Sequence, residues 1–464
     1  MFIGRQRQLG QLDAQLRRVG KSQDDKPGKA LLIRGRRRVG KSRLVEEFVR
    51  RAGVPHLFFA ASGRPVADEL ALFSEEAARS DLPGASLFSD VAPSSWDAAL
   101  RLLASAVGDA EAIVVLDELP YIIEADPHFE GTLQRAFDRE LSRTRTLLIG
   151  IGSDLSMMEA LNEYGRPFHQ RATEMIVPPL TPSEVGAMLQ LPAADAFDAF
   201  LVTGGLPLIC AEWEAGMSLW DYLSTASSDP TAALLVSGER SLAAEFPSDV
   251  QARAVLGAIG HGERTFANIQ RASGDIPAAS LTRALKILIE KRVVAVDEPL
   301  STRPSKAPRY RVADPYLRFW FAFLGPHLPE IERGRGDLVL GRIRSSWTSW
   351  RGRAIEPVIR EALELSGRSI VGSYWTRSNN PEIDIVVADK APIAKRILGV
   401  GSIKWRDDAP FDAHDRGTLY SHRLQLPGAD DDTELLVVSR AGCAVDGVTH
   451  ITPDQLLAAY QAAE

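Results

Sequence analysis

Cysteine is nearly absent: Cys210 and Cys443 are the only two in 464 residues. That is too few, and too widely spaced, for a Cys-rich zinc site or a disulfide framework, and it suits a reducing compartment. The cytoplasm is therefore the expected location. No run approaches the ~18 consecutive apolar residues of a membrane span, and Met1-Phe2-Ile3-Gly4-Arg5 lacks the charged start and apolar stretch of an export signal, so no membrane is expected among the partners. Internal repeats and low-complexity tracts are missing too. What is present is an ordinary globular composition, 45% hydrophobic and 25% charged with 36 Gly and 28 Pro, which excludes disorder and collagen-like repeats. At about 150 residues per domain, the length asks for roughly three domains. A net charge of −7 gives no reason by itself to expect nucleic acid. Its distribution says more: residues 251–320 hold twelve Lys/Arg and six Asp/Glu, a local +6 against −13 for the rest.

Residues 1–180 alternate short apolar runs with helical stretches, the pattern of a parallel sheet covered by helices. Strands are expected at 30–34, 56–60, 113–117, 146–150 and 174–177. Residues 181–248 read as a helical lid that opens on Thr181-Pro182-Ser183-Glu184, where Thr181 caps a helix and Pro182 occupies its first turn. Over 249–324, three short amphipathic units (251–260, 266–273, 279–291) and strands at 293–297 and 310–312 spell a winged helix-turn-helix. The polar, basic, Pro-containing segment 301–309 is its wing. The charged, Gly-containing residues 325–345 read as a linker, and 346–464 as an α-β-β-β-α-β module.

Gly35-Arg36-Arg37-Arg38-Val39-Gly40-Lys41-Ser42 follows an apolar run and precedes a helix, and it matches G-x-x-x-x-G-K-[ST]. A chance match in such a chain has a probability on the order of one in a hundred. The glycines let successive backbone N–H groups face phosphates at a helix N-terminus, whose dipole favours anions. Gly35, Gly40, Lys41, Ser42 and Arg43 are the expected phosphate contacts, with Lys41 between the terminal phosphates and Ser42 on Mg²⁺. Ile113-Val114-Val115-Leu116-Asp117-Glu118 supplies the second half, because an apolar strand delivers two acids to its C-terminal end, where doubly wound sheets hold ligands. Asp117 would hold Mg²⁺ and Glu118 would orient or deprotonate the attacking water. Ser153, after the strand at 146–150, is either a sensor of the terminal phosphate or a plain loop serine.

With Phe2-Ile3-Gly4-Arg5, Gly150-Ile151-Gly152-Ser153 and Gly204-Gly205-Leu206-Pro207-Leu208 added, the chain resembles the STAND class of AAA+-related P-loop ATPases. More narrowly, it resembles archaeal-type ATPases, also widespread in bacteria, that carry a winged helix and a C-terminal PD-(D/E)XK nuclease-like domain. The similarity covers essentially the whole chain. It implies an α/β fold: a P-loop NTPase parallel sheet with a helical lid, a winged helix-turn-helix and a restriction-endonuclease-like α/β domain. It also implies that Gly4, Arg5 and Pro207 flank the adenine, although 204–208 also suits a simple helix-ending turn. An arginine beyond the sensor reaches the γ-phosphate in this class; Arg171 sits at the matching place, with Arg166 close by.

The helix at 279–291 presents Arg283, Lys286 and Lys291 beside an apolar face. Such a helix suits a DNA groove, with Arg303, Lys306 and Arg309 of the wing on phosphates, or a protein–protein spacer. In the last module Glu356, Asp384 and Lys404 resemble the PD-(D/E)XK core, in which clustered carboxylates hold Mg²⁺ and a lysine steers water. Glu382 and Asp384, two apart on a strand, share a face. The family pattern requires an acid two residues before the lysine, where this chain has Ser402, a poorer ligand for a hard cation. Glu356 and Lys404 also fit solvated surface charges. The expected molecule is an ATPase that binds and hydrolyses ATP with Mg²⁺, switches its domains with nucleotide state, associates with double-stranded DNA and carries a degenerate nuclease domain. A second copy or another protein is a further expected partner. The alternatives are a nucleotide-gated DNA endonuclease and an ATP-stabilised DNA-binding scaffold without turnover.

Overall fold

Five apolar runs of the N-terminal region pair into one parallel sheet. The computed structural model describes residues 2–21, 26–153, 155–161, 163–246 and 250–464, and two units are distinguished, one up to Pro179 and one from Leu180 on. The expected boundary at residues 248 and 249 lies outside the described residues. In the first unit β1 (Lys29–Arg34), β2 (His56–Ala60), β3 (Ala112–Asp117), β4 (Thr146–Gly152) and β5 (Ala172–Ile176) are ordered β2-β3-β4-β1-β5, all parallel. Every residue of β3 and β4 is buried, as strands covered by helices on both faces require. Phe59 of β2 meets Phe73, which meets Trp96, which meets Phe129, each edge to face with centroids 5.1–5.5 Å apart. This aromatic chain fastens the helices Val66–Arg79 and Trp96–Val107 to the sheet. Arg34 lies opposite Gly152 and Leu116 opposite Gly150. Because β4 sits between β1 and β3, the loops that follow these three strands share one edge.

In the second unit Thr181 caps the helix Pro182–Leu189 in a capping box with Glu184. The helices Val250–Gly260, Phe266–Ala272 and Ala278–Glu290 lead into the antiparallel pair β6 (Val294–Asp297) and β7 (Arg309–Val312), the arrangement of a winged helix. Asp314 caps Pro315–Phe319 through the Leu317 amide. The Tyr316 hydroxyl donates to the carbonyl of Leu234 and Trp320 Nε1 to that of Leu235, at 2.8 and 3.2 Å, so the aromatics of this stretch pack inward. Residues 336–345, expected as part of a linker, belong to one helix of 30 residues, Gly336–Leu365. Val339, Ile343, Trp347, Arg351 and Ile355 recur every fourth residue and are buried, while Gly341, Arg342 and Arg344 between them are exposed. That stripe sustains the helix, and the charges and glycine around it mask it in the sequence.

The last sheet is ordered β12-β11-β10-β9-β8, with β8 (Ile370–Trp375), β9 (Glu382–Ala388), β10 (Ile397–Lys404), β11 (Glu434–Ser439) and β12 (Thr449–Ile451). The β8-β9-β10 pairs are antiparallel and the β10-β11-β12 pairs parallel. Ser402 and Lys404 lie on β10, where Lys404 pairs with Ser439. Ile355 and Ile359 of the long helix join Val387, Leu436 and Tyr460 in the core beneath. A charged network ties the helix Ala193–Thr203 to this module. The Arg351 guanidinium donates to Asp198 at 2.9 Å and to Asp407 at 2.8 Å, Arg440 reaches the same two carboxylates, and Trp405 Nε1 donates to Asp198 at 3.0 Å. Among the described residues no single helix is long and apolar enough to cross a membrane.

Candidate functional site

The loop after β1 turns into the helix Lys41–Ala52 through Gly40, whose φ of 85° lies in the left-handed region that suits glycine. No side chain caps this helix, which leaves its first amides directed at the space above the loop, where an anion is favoured. Lys41 is buried, and its Nζ donates to the carbonyls of Gly35 and Arg36 at 2.8 and 3.1 Å. The Ser42 hydroxyl donates to the Asp117 carboxylate. Asp117, at the end of β3, is 5% exposed and also accepts from the Glu118 amide at 2.9 Å. Glu118 adopts φ 51° before the helix Leu119–Ala125, and its Oε2 accepts from Ser153 Oγ at 2.9 Å. The edge shared by β1, β3 and β4 thus brings Gly35, Gly40, Lys41, Ser42, Asp117, Glu118 and Ser153 together.

The electrostatics of this cluster follow from its burial. Desolvation lowers Lys41 to about 8, aided by Arg37 and opposed by Glu118 and Asp117. Burial also raises Asp117 against the Ser42 and Glu118 hydrogen bonds. Burial thus works against the charged form of both the lysine and the acid beside it.

Arg5 adds a contact that sequence reasoning had not assigned. It is buried and donates to the Val39 carbonyl of the loop at 2.9 Å and to the Pro179 carbonyl at 3.5 Å. Gly4 and Arg5 both take positive φ, 77° and 64°, which sets the guanidinium against the loop. Glu69, unlike Arg5, carries no signal in the sequence. Its Oε1 accepts from the Ser62 amide, the Ser62 hydroxyl and the Arg64 amide, each at 2.8 Å, and so orders the loop after β2. Arg43 points along the helix surface toward Glu46 at 3.6 Å. Arg171 is held by Asp138 at 2.9 Å and by the carbonyls of Pro167 and His169, while Arg166 pairs with Glu130. The contacts of both arginines thus lie away from the phosphate loop. Pro207 opens the helix Pro207–Ala211 in the second unit.

A second cluster gathers Glu356, Asp384 and Ser402. Asp384 accepts from Ser402 Oγ at 3.1 Å and from the Ile403 amide at 2.8 Å, whereas Lys404 Nζ turns to Asp415 at 3.2 Å. Glu356 pairs with Arg360 at 3.6 Å and keeps 25% of its side chain exposed. Desolvation raises it to about 7, with Asp384 adding to the rise and Arg360 opposing it. Glu382, on the same strand as Asp384, is taken by Arg309. Among the described residues no group of three or more His, Cys, Asp or Glu could hold a metal ion. On the basic helix, Leu281, Leu285 and Leu288 are buried while Arg283 and Lys286 are exposed; Lys291 lies over the Phe246 ring. Arg303 and Lys306 are exposed, but Arg309 is buried and donates to Glu382 and Asn379, so the expectation of Arg309 on a phosphate does not match this arrangement.

Residues 320–415 match the family DUF234, described as archaea bacterial proteins of unknown function. An uncharacterized protein of Methanocaldococcus jannaschii is 26% identical over 93% of this chain and 93% of its own length. Among solved structures, the Walker-type ATPase of Pyrococcus abyssi is 19% identical, covering 69% of this chain and 96% of its own, with a TM-score of 0.46. The ORC2 protein of Aeropyrum pernix, in its ADPNP–ADP complexes, is 15% identical over 71% and 96%, with a TM-score of 0.49.

Proposed function

We propose that the protein binds ATP with Mg²⁺ in the first unit and hydrolyses it. The observation that carries this reading is the meeting of Lys41, Ser42, Asp117, Glu118 and Ser153 around an uncapped helix N-terminus. Backbone amides of residues 35–40 and Lys41 hold the phosphates. The Ser42 hydroxyl and the Asp117 carboxylate form a pair of adjacent hard oxygen donors that fits Mg²⁺. The ion, when bound, neutralises charge on the phosphates. Glu118 orients a water for in-line attack on the γ-phosphorus and takes its proton, and ADP leaves. Ser153 is the sensor, Gly4 and Arg5 flank the base, Arg43 supports the phosphates, and Arg171 reaches the γ-phosphate only after leaving Asp138.

The switch reading keeps the division into an ATPase core (1–180), lid (181–248), winged helix (249–324), connector (325–345) and nuclease-like module (346–464), with nucleotide state setting the last modules and DNA bound by the winged helix. Ser402 on Asp384 and Lys404 on Asp415 favour a degenerate nuclease over a nucleotide-gated endonuclease; plasmid cleavage with Mn²⁺ that Asp384→Ala abolishes would reverse that preference. In the principal test, Mg²⁺-dependent ATP turnover is lost in Lys41→Ala, and Glu118→Gln retains binding while kcat falls about 10²–10⁴-fold. Turnover unchanged in Lys41→Ala overturns the ATPase reading, and tight binding without turnover supports the scaffold instead.

A further inference from the structure

The segment between β6 and β7 looks like a DNA-reading wing in sequence, yet it is sewn onto the last sheet. Leu300 is 2% exposed and packs with Ile383, Val386 and Val400 in the core of that sheet. Its amide donates to the Ser373 carbonyl at 2.8 Å, the Ala394 amide donates to Ser301 at 2.9 Å, and Trp375 Nε1 donates to Ala307 at 2.9 Å. Ser301 bridges Ile393 in parallel. A Cβ added at Gly428 would lie 2.1 Å from the Thr302 side chain, so glycine is required where this segment crosses. At its end Arg309 donates to Glu382 at 2.5 Å and to Asn379 at 2.6 Å and lies over the Trp375 ring at 4.3 Å.

Of this segment, Arg309 lines the crevice that holds Glu356 and Asp384. Arg264, Arg309, Arg311, Arg318, Arg353 and Arg360 all line it, and its volume is about 30 Å³, room for one or two waters and none for a phosphodiester. The guanidinium groups occupy the position beside the carboxylates that cations would take.

We propose that residues 298–309 are a strap that shuts the Glu356–Asp384 centre and that duplex DNA lifts it by competing for its arginine. The inference rests on reading 346–464 as a degenerate nuclease-like module and the winged helix as a DNA contact. Three features make the strap releasable. Its latch is an ion pair open on one side, with Glu382 39% exposed against 10% for Arg309, so salt screens it in part. Its apolar hold is short, the adjoining buried residues Pro299 and Leu300. Beside it, a cleft of about 520 Å³ separates Asp297 and Glu298 from Ile370 and Gly372 of β8, which leaves the hairpin room to swing. Polyanion competition follows from charge: Arg303 and Lys306 stand exposed on the strap, as do Arg283 and Lys286 on the basic helix.

The test is hydrogen exchange on the full chain at low salt, with and without a short random-sequence duplex, in wild type and in Ser301→Cys/Ile393→Cys. Bridged strands lie about 4.8 Å apart, within the Cα separation a disulfide spans. Duplex should speed exchange of the Leu300, Thr302 and Ala394 amides about tenfold or more in wild type and in the reduced double variant. The oxidised variant should show no such increase. Arg309→Ala and Glu382→Gln should each speed the same amides without DNA. Absence of duplex binding, or binding that leaves these amides unchanged, overturns the proposal, as does an increase that survives oxidation. Mn²⁺ binding followed by electron spin resonance in Arg309→Ala reads the underlying assignment separately. A lifted strap with no Mn²⁺ bound through Asp384 removes the nuclease-like reading and leaves the strap standing.

Discussion

Lys41 titrates within the range where the protein can be handled. Its folded pKa of about 8 lies below the usual lysine value, so between about pH 8 and 10.5 the folded chain holds fewer protons here than the unfolded one, and stability rises with pH across that window. Phosphates at Nζ favour the charged form, so ATP binding takes up protons. The expected uptake from this residue is about 0.7 proton per ATP at pH 8.5 and about 0.1 at pH 7, read from calorimetric enthalpies in buffers of different ionisation enthalpy. A pH-independent uptake would contradict the assignment of Lys41. The residues of this cluster were legible because their motifs are local: the loop at 35–42 and the acids at 117–118 are each continuous strings with a fixed chemistry. Arg5 and Glu69 were not legible in the same way, since their contacts, with Val39 and with the Ser62–Arg64 turn, join residues whose types imply nothing about each other. Lys404 was misread for the opposite reason: its type suits a nuclease, but its partner is Asp415.

At the scale of elements, the buried charges decide what holds the second unit. Asp198 and Arg351 keep only 4% and 2% of their side chains exposed, and removing one partner of a buried pair leaves the other uncompensated. Asp198→Ala should cost about 3–5 kcal/mol in urea unfolding. Combining it with Arg351→Met should return part of that loss; a double variant no better than the single one would show that the network does not act as a pair. Strands and short helices were readable from apolar runs, and their ends moved by a residue or two where pairing extended them, as at Gly152. The first ten residues of the helix Gly336–Leu365 were hidden because Gly336, Val339 and Ile343 are the ones buried there, among charges and glycine. The strap was hidden because two adjoining buried residues, Pro299 and Leu300, anchor a segment rich in proline and charge, a signal too small for any periodicity.

At the scale of the whole chain, the proposed function assigns nucleotide to the first unit and DNA to the second. ATP at a hundred times its Kd should stabilise the first unit by about 2.7 kcal/mol, seen as slower exchange of the β1, β3 and β4 amides. If nucleotide state sets the later modules, the same titration must also change exchange in the second unit, and an effect confined to the first would remove the switch while sparing the ATPase. No single sequence window carries that coupling.

Leu300 is supplied by one segment and housed by another. Cutting the chain between residues 313 and 369 therefore parts a socket from its plug. A fragment of residues 346–464 should expose an apolar hole, bind a hydrophobic dye and tend to self-associate. A synthetic peptide spanning residues 298–309 should displace the dye, and the same peptide with Leu300→Ala should not.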